Sequence, residues 1–131
     1  MNWIDLTTNP IGLREIFHGD PPPLVGVSVF GVAVDREGPS LRVTLDLPDY
    51  PSDPPVKWKR SGFNTVQLGL LFGGVAELSL TGISTEVIAD IAMKRAGSVL
   101  RLDLTSTVMR VSASAASVTV SEVTAYLNQG R

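Results

Sequence analysis

The residue types that most often carry chemistry in proteins are sparse in this chain. It has one histidine, His18, and no cysteine in 131 residues. The lack of cysteine excludes disulfides, thiolate catalysis and zinc sites built on cysteine ligands. A Ser-His-Asp triad would have to use His18, but there is no G-x-S-x-G elbow, and the helix dipole alone explains a histidine at a helix end. We therefore expect no enzymatic activity.

The spacing of acidic residues and glycines does not match known metal-binding or phosphate-binding motifs. Asp46, Asp49 and Asp53 are the closest acidic trio, and their spacing does not match an EF-hand loop. The glycines at 69, 73 and 74 lack the spacing of phosphate-binding loops. We interpret the carboxylates as polar turn residues and the glycines as turn and bulge residues, and we expect no cofactor.

A small basic cluster surrounds one of the two tryptophans. Lys57, Lys59 and Arg60 flank Trp58, a pattern that can bind nucleic acid through stacking and phosphate contacts. The chain as a whole has a net charge of −2, and its acidic and basic residues are scattered. It therefore lacks the basic footprint of a protein that binds nucleic acid or an anionic membrane.

Composition is typical of a folded domain. Hydrophobic residues make up 44% and charged residues 18% of the chain, far from the signature of disorder. The length fits a single domain spanning residues 1–131. The N-terminus does not resemble a signal peptide, and no apolar run approaches the roughly 18 residues of a spanning helix. We expect a soluble, cytoplasmic protein.

One short helix and a series of strands must position these groups. Thr8 or Asn9 can cap a helix in which Pro10 occupies the first turn. Gly19 should end it, and so short a helix needs a sheet to lie against. After Leu24, apolar and polar residues alternate in short runs between turns. We predict a mainly β fold: an antiparallel β-sandwich or open barrel of about eight strands with one short N-terminal helix.

Several local features of the strands can also be predicted. The apolar phase changes near Val29 to Gly31, which a β-bulge would explain. Residues 35–39 fit a hairpin turn between two paired strands, and the glycines at 73 and 74 predict a second, tight hairpin. Residues 87–95 fit strand or helix by periodicity, and we predict a strand.

One stretch is specific enough to suggest a family: LPDYPSDPPVKWKRSGFNTVQLGLLF, residues 47–72. It follows WIDLTTNPIGLREIFHGDPPPL and precedes GVAELSLTGIST. Together these segments resemble the Immunity protein 50 family of bacterial polymorphic toxin systems. The likeness is most specific in P-P-x-K-W, residues 54–58, and in N-T-V-Q-L, residues 64–68.

The resemblance implies a small, non-enzymatic protein that binds the toxin domain made by a neighbouring gene and neutralises it by stoichiometric occlusion. Trp58 fits either a hydrophobic plug beneath the proline corner or an exposed interface anchor, and the plug is favoured. The residues that match the family look structural: Trp3, Leu13, Pro54, Pro55, Trp58 and Asn64.

The toxin-binding face is expected on a polar strand edge and the loops beside it. Acidic groups there would complement a toxin with a basic groove. The residues expected to contact the toxin are Asp46, Asp49, Tyr50, Asp53, Lys57 and Arg60. The alternative function is a β-barrel or sandwich that binds a small ligand in an apolar interior. An unpaired edge strand would also let two copies form a homodimer.

Overall fold

The computed structural model describes residues 2–18 and 20–130. Helical segments lie near the N-terminus and between the second and third strands. They are the 3-10 helix η1 (Trp3–Leu6), α1 (Ile11–Phe17) and α2 (Val56–Ser61). The strands are β1 (Val27–Asp35), β2 (Ser40–Asp46), β3 (Thr65–Gly73), β4 (Glu77–Thr81), β5 (Ile88–Ala96), β6 (Val99–Ser106), β7 (Arg110–Ala115) and β8 (Ser117–Tyr126). None of the helices in these residues is long and apolar enough to cross a membrane.

The strands form one antiparallel sheet in the order β4-β7-β6-β5-β1-β2-β3-β8. At its centre, β1 and β5 pair through Val27 with Ala89 and Ser28 with Ile88, and the Val29 N–H donates to the Val87 carbonyl at 2.9 Å. This narrow junction joins two four-stranded halves. Strands β6 and β8 approach each other although they are not sheet neighbours, so the halves fold over a common core. The predicted antiparallel β architecture with an early short helix is confirmed.

The core is built from one side of each strand because side chains alternate between the two faces of a sheet. Burial of each large aliphatic side chain contributes roughly 1.5–3 kcal/mol relative to exposure. The completely buried strand residues include Leu41, Val43, Leu45, Val66, Leu68, Leu70, Phe72, Leu100 and Leu102. Ile4 of η1 and Leu13 and Phe17 of α1 cover this core, which is how two helices too short to be stable alone are held in place.

Three local predictions are confirmed. The register between β1 and β2 shifts between Val29 and Gly31, so a bulge leaves Phe30 without a cross-strand partner. Residues 35–39 connect β1 to β2, and the Asp35 carboxylate accepts a hydrogen bond from the Glu37 backbone N–H at 2.9 Å. The segment that fitted either strand or helix forms β5.

The predicted Gly-Gly hairpin is wrong. Strand β4 pairs with β7 and not with β3, because β2 and β8 already occupy both sides of β3. The glycines instead lead the chain across to the other half of the sheet. The Gly73 carbonyl accepts from the Ala116 N–H at 2.8 Å, and the Val75 N–H donates to the Pro39 carbonyl at 2.9 Å.

The predicted side-chain cap of the first helix is also wrong. Pro10 is the residue before α1, and no side chain caps the helix. Asn9 is used elsewhere: its amide donates to the Val120 carbonyl at 2.8 Å and accepts from the Val120 N–H at 2.9 Å. The helix ends at His18, which has a left-handed conformation with φ of 51°. Gly19, the predicted stop, lies outside the described residues.

Candidate partner-binding surface

The candidate surface consists of the loop at residues 47–55 and helix α2, which follows it directly; we call these segments the α2 surface. This helix was not predicted from the sequence, although its end signals are present. Pro55 precedes the first turn, Lys59 and Arg60 lie in the last turn, and Gly62 ends the helix with φ of 69°. The helix directs the predicted basic residues outwards, since none of its residues is buried.

An aromatic pair packs between the α2 surface and the hydrophobic core. The rings of Tyr50 and Trp58 are half-buried and pack against the hydrophobic core, with ring centroids 6.3 Å apart. The Tyr50 hydroxyl oxygen is buried and has no hydrogen-bond partner among the described residues. Burial raises the pKa of the Tyr50 phenol above its usual value of 10.0.

Charged groups cluster where α2 meets the end of α1. Lys59 Nζ lies 3.3 Å from Asp53 Oδ1, and His18 Nε2 lies 3.7 Å from Asp53 Oδ2. All three side chains are mostly exposed, so these pairs contribute little to stability. Lys57 and Arg60 are exposed and form no ion pair within the described part of the chain. Their charges, and that of Asp49, remain available to a partner.

Two neighbouring grooves open beside these charges. The first has a volume of about 440 Å³ and is lined by Tyr50, by Asp49 and by the prolines at 21–23, among others. The second, of about 520 Å³, lies between α1 and α2 and includes Val56, which is 64% exposed. Ile16 and His18 line both grooves. The apolar contribution of Ile16 and Val56 to these grooves was not predicted from the sequence.

Comparison with known families decides the classification of the chain. The profile of the family Immunity protein 50 matches residues 9–126. The chain belongs to the Immunity protein 50 family. The matched range includes the whole α2 surface and every strand. No curated protein and no solved structure matches the chain. Immunity protein families are not normally enzymatic, so this membership agrees with the scarcity of catalytic side chains.

Asp46, one of the six residues expected to contact a toxin, lies within the sheet of this Immunity protein 50 domain. It is only 5% exposed. Its carboxylate accepts a hydrogen bond from Gln67 Nε2 at 3.1 Å and another from the Tyr126 hydroxyl. Asp46 therefore links β2 to β3 and to the end of β8. Asp49, Asp53, Lys57 and Arg60 are exposed and Tyr50 is half-buried, so these five lie together on the α2 surface.

The residues expected from the resemblance to be structural make mostly internal contacts, and all of them except Trp3 lie within the matched range. Leu13 is buried, and Trp3 Nε1 donates to the Pro22 carbonyl at 2.9 Å. Asn64 holds the C-terminal segment: its amide donates to the Asn128 carbonyl at 3.0 Å and accepts from the Asn128 N–H at 2.8 Å. Pro54 and Pro55 are half-buried at the start of α2.

A metal centre would need several suitable ligands in one place. Across residues 2–18 and 20–130, no group of three or more His, Asp or Glu side chains is arranged to hold a metal ion. The Asp46, Asp49 and Asp53 trio is divided between the sheet and the loop. The α2 surface combines exposed charges, a half-buried aromatic pair and two grooves.

Proposed function

We propose that this protein is a bacterial immunity protein of a polymorphic toxin system. It binds the toxin domain encoded by a neighbouring gene and neutralises it in the cytoplasm by stoichiometric occlusion. The family match over residues 9–126 carries this proposal. No nucleic acid or membrane is required as a partner.

We further propose that the toxin docks on the α2 surface. Its chemistry resembles that of a binding hot spot, in which an aromatic centre is surrounded by polar groups that exclude water. Tyr50 and Trp58 form the centre, and the charged rim consists of Asp49, Asp53, Lys57 and Arg60. The rim carries both signs of charge, so it favours a toxin with a complementary mixed surface and disfavours wrong partners through repulsion.

The alternative function, binding of a small ligand in the apolar interior of the sheet, gains no support. The interior is filled by side chains that are completely buried, among them Leu68, Leu70 and Leu102. Five grooves formed by the described residues lie at the surface, and none of these three leucines lines them. A filled interior suits a rigid protein that uses its outer surface for binding.

The decisive experiment is co-expression with the toxin domain encoded by the adjacent gene, scoring cell survival and co-purification together. Survival with a stable complex is the expected result. Cell death without a complex would overturn neutralisation of that toxin.

Charge reversal then tests the docking face. We expect the double variants Asp49→Lys with Asp53→Lys, and Lys57→Glu with Arg60→Glu, to weaken toxin binding by about tenfold or more. Arg36→Glu and Glu37→Lys are matched controls, since both residues are exposed in the β1–β2 turn. Unchanged binding in both double variants would exclude the α2 surface while leaving the immunity function intact.

A further inference from the structure

The two edges of the sheet are protected to very different degrees. Edge strands offer unpaired backbone groups to other chains, and proteins usually protect them with a bulge, a charge or a covering segment. Strand β8 has all three. Thr8 and Asn9 hydrogen-bond to it near Val120, its pairing with β3 is irregular between Gly69 and Leu70, and Glu122 lies beside this irregularity.

Strand β4, the opposite edge, lacks the bulge and, among the described residues, the covering segment, and its one charged residue is Glu77 at its first position. It pairs with β7 in continuous register, without a bulge, and no strand within the described residues pairs with its other side. Its sequence, ELSLT, contains neither lysine nor proline. All five of its residues are exposed. The free side of β4 is therefore open to a further strand.

The side chains of β4 make this edge apolar on its inner face. Leu78 lies opposite Ala113 and Leu80 opposite Val111, and both β7 partners are buried in the core. Directly opposed residues share a face, so the two leucines also point to the core side. They nevertheless remain 37% and 42% exposed, because no strand covers them. At this edge, part of the apolar core face therefore remains exposed to solvent.

We propose that β4 pairs with β4 of a second copy of this chain, in an antiparallel homodimer with Ser79 on the twofold axis. This proposal does not depend on the immunity function. A twofold axis perpendicular to the sheet brings the inner faces of both copies to the same side. Leu78 of each copy then lies opposite Leu80 of the other, and the four leucines continue the core across the interface.

The register follows from the length of the strand. Only an axis at Ser79 pairs all of residues 77–81 with residues 77–81 of the other copy. Moving the axis to Leu80 would bring Gly82 into the ladder, where its φ of 78° is incompatible with an extended strand. Moving it to Leu78 would leave Leu80 without a leucine partner.

Charge complementarity favours a second copy over an arbitrary strand. With Ser79 on the axis, Glu77 lies opposite Thr81 of the other copy, and no like charges face each other. Thr81 in turn pairs with Arg110 on β7, on the same outer face as Glu77. Since neighbouring strands lie about 4.8 Å apart, Glu77 and the other copy's Arg110 are separated by about two strand spacings, within reach of two long side chains. This ion pair would form twice.

A single cysteine tests the axis directly. The chain has no native cysteine, so Ser79→Cys can form a disulfide only with a second copy. Directly opposed strand residues have Cα atoms about 4.5–5.5 Å apart, which suits a disulfide. We expect Ser79→Cys to dimerise rapidly through a disulfide under mild oxidation. Thr124→Cys, the matched variant at an exposed position of β8, should dimerise little. Equal crosslinking of the two variants would overturn the proposal.

Sedimentation and light scattering over a wide concentration range provide the second test. We expect a reversible dimer for the unmodified chain. Ser79→Asp and Ser79→Lys should each raise its dissociation constant at least about tenfold, because like charges meet at the axis, and an equimolar mixture should restore association. Thr124→Asp should dimerise normally. A chain that stays monomeric, or single variants that still dimerise, would overturn the β4 interface. Circular dichroism and unfolding midpoints check that each variant is folded.

The proposed dimer and the proposed immunity function can be tested separately. Strand β4 is separated from β2, which leads into the α2 surface, by four strands in the sheet order, and no β4 residue lines either groove of that surface. We therefore expect Ser79→Asp to protect cells against the toxin as well as the unmodified chain does. Lost protection with a folded Ser79→Asp would show that β4 contacts the toxin itself, and would overturn assignment of this edge to a second copy.

Discussion

The rings of Tyr50 and Trp58 lie 6.3 Å apart and are inclined by 36°. This contact joins the loop at residues 47–55 to helix α2, whose six residues are too few for independent stability. Aromatic pairs at this distance contribute roughly 0.5–1.5 kcal/mol beyond the burial of their area. The pair therefore fixes the position of α2, and with it the exposed charges of Lys57 and Arg60.

Replacing Trp58 should affect both stability and binding. Trp58→Ala should lower the free energy of unfolding by about 2 kcal/mol, less than the roughly 3–5 kcal/mol of a fully buried aromatic residue, since the ring is only half-buried. Urea unfolding measures the loss, and toxin affinity is measured where the variant remains folded. Trp58→Phe is the control, because it retains an aromatic contact with Tyr50. A loss of stability with unchanged toxin affinity would make Trp58 a structural residue only.

The buried Tyr50 hydroxyl should lower the stability of the free protein. A buried polar group without a hydrogen-bond partner costs roughly 1–3 kcal/mol. We expect Tyr50→Phe, which removes only that oxygen, to raise the free energy of unfolding by about 1 kcal/mol. Tyr126→Phe is the opposite control, since its hydroxyl donates to Asp46, and it should be destabilising. A destabilised Tyr50→Phe would mean that the hydroxyl has a partner in solution.

The same group gives stability a pH dependence in the alkaline range. Burial raises the pKa of Tyr50 in the folded state, so above pH 10.0 the unfolded chain loses this proton first. The part of the free energy of unfolding that depends on a neutral Tyr50 is therefore fully present below pH 10.0. It is lost as the pH rises through the folded-state pKa. We expect the stability of Tyr50→Phe to fall less steeply there than that of the unmodified protein. Denaturant titrations at a series of alkaline pH values measure the free energy of unfolding of both proteins. If the two proteins lose stability equally as the pH rises, Tyr50 does not contribute.

Local sequence patterns predicted the strands well because burial of one face imposes a period of two residues on each. The bulge next to Phe30 was visible for the same reason, as a change of phase. The pairing of β4 was not predictable in this way. It depends on which strand edges are already occupied, and β8, which fills the place next to β3, lies some distance further along the chain.

The candidate surface was predicted in part, and the gaps have a physical cause. Five of the six proposed contact residues lie together because a short polar loop and helix keep sequence neighbours close. Asp46 instead ends strand β2, and its carboxylate is bonded by Tyr126, 80 positions away, a contact that no local pattern records. Helix α2 was missed because six residues, of which only Trp58 packs on the core, do not produce a helical period.

Asp46 should matter for stability more than its exposed neighbours do. Asp46→Ala removes an acceptor from Gln67 and from Tyr126, both of which are half-buried. Leaving a buried donor unsatisfied costs roughly 1–3 kcal/mol, and half-buried donors can partly reach water, so we expect a loss at the lower end, about 1 kcal/mol, in urea unfolding. Asp49→Ala is the matched control on the exposed loop and should change stability by less than about 0.5 kcal/mol. Equal effects of the two substitutions would contradict a structural role for Asp46.

Asn9 connects the N-terminal segment to the sheet and should protect the β8 edge. Asn9→Ala removes two hydrogen bonds to Val120, of 2.8 and 2.9 Å, and should lower the free energy of unfolding by about 1–2 kcal/mol. Gln129→Ala, which shortens an exposed amide near the C-terminus, should have little effect. Because the uncovered β8 edge can then pair with other chains, Asn9→Ala should also aggregate at lower concentration, as measured by light scattering. Normal solubility together with reduced stability would mean that the irregularity in β8 and Glu122 are sufficient to protect this edge.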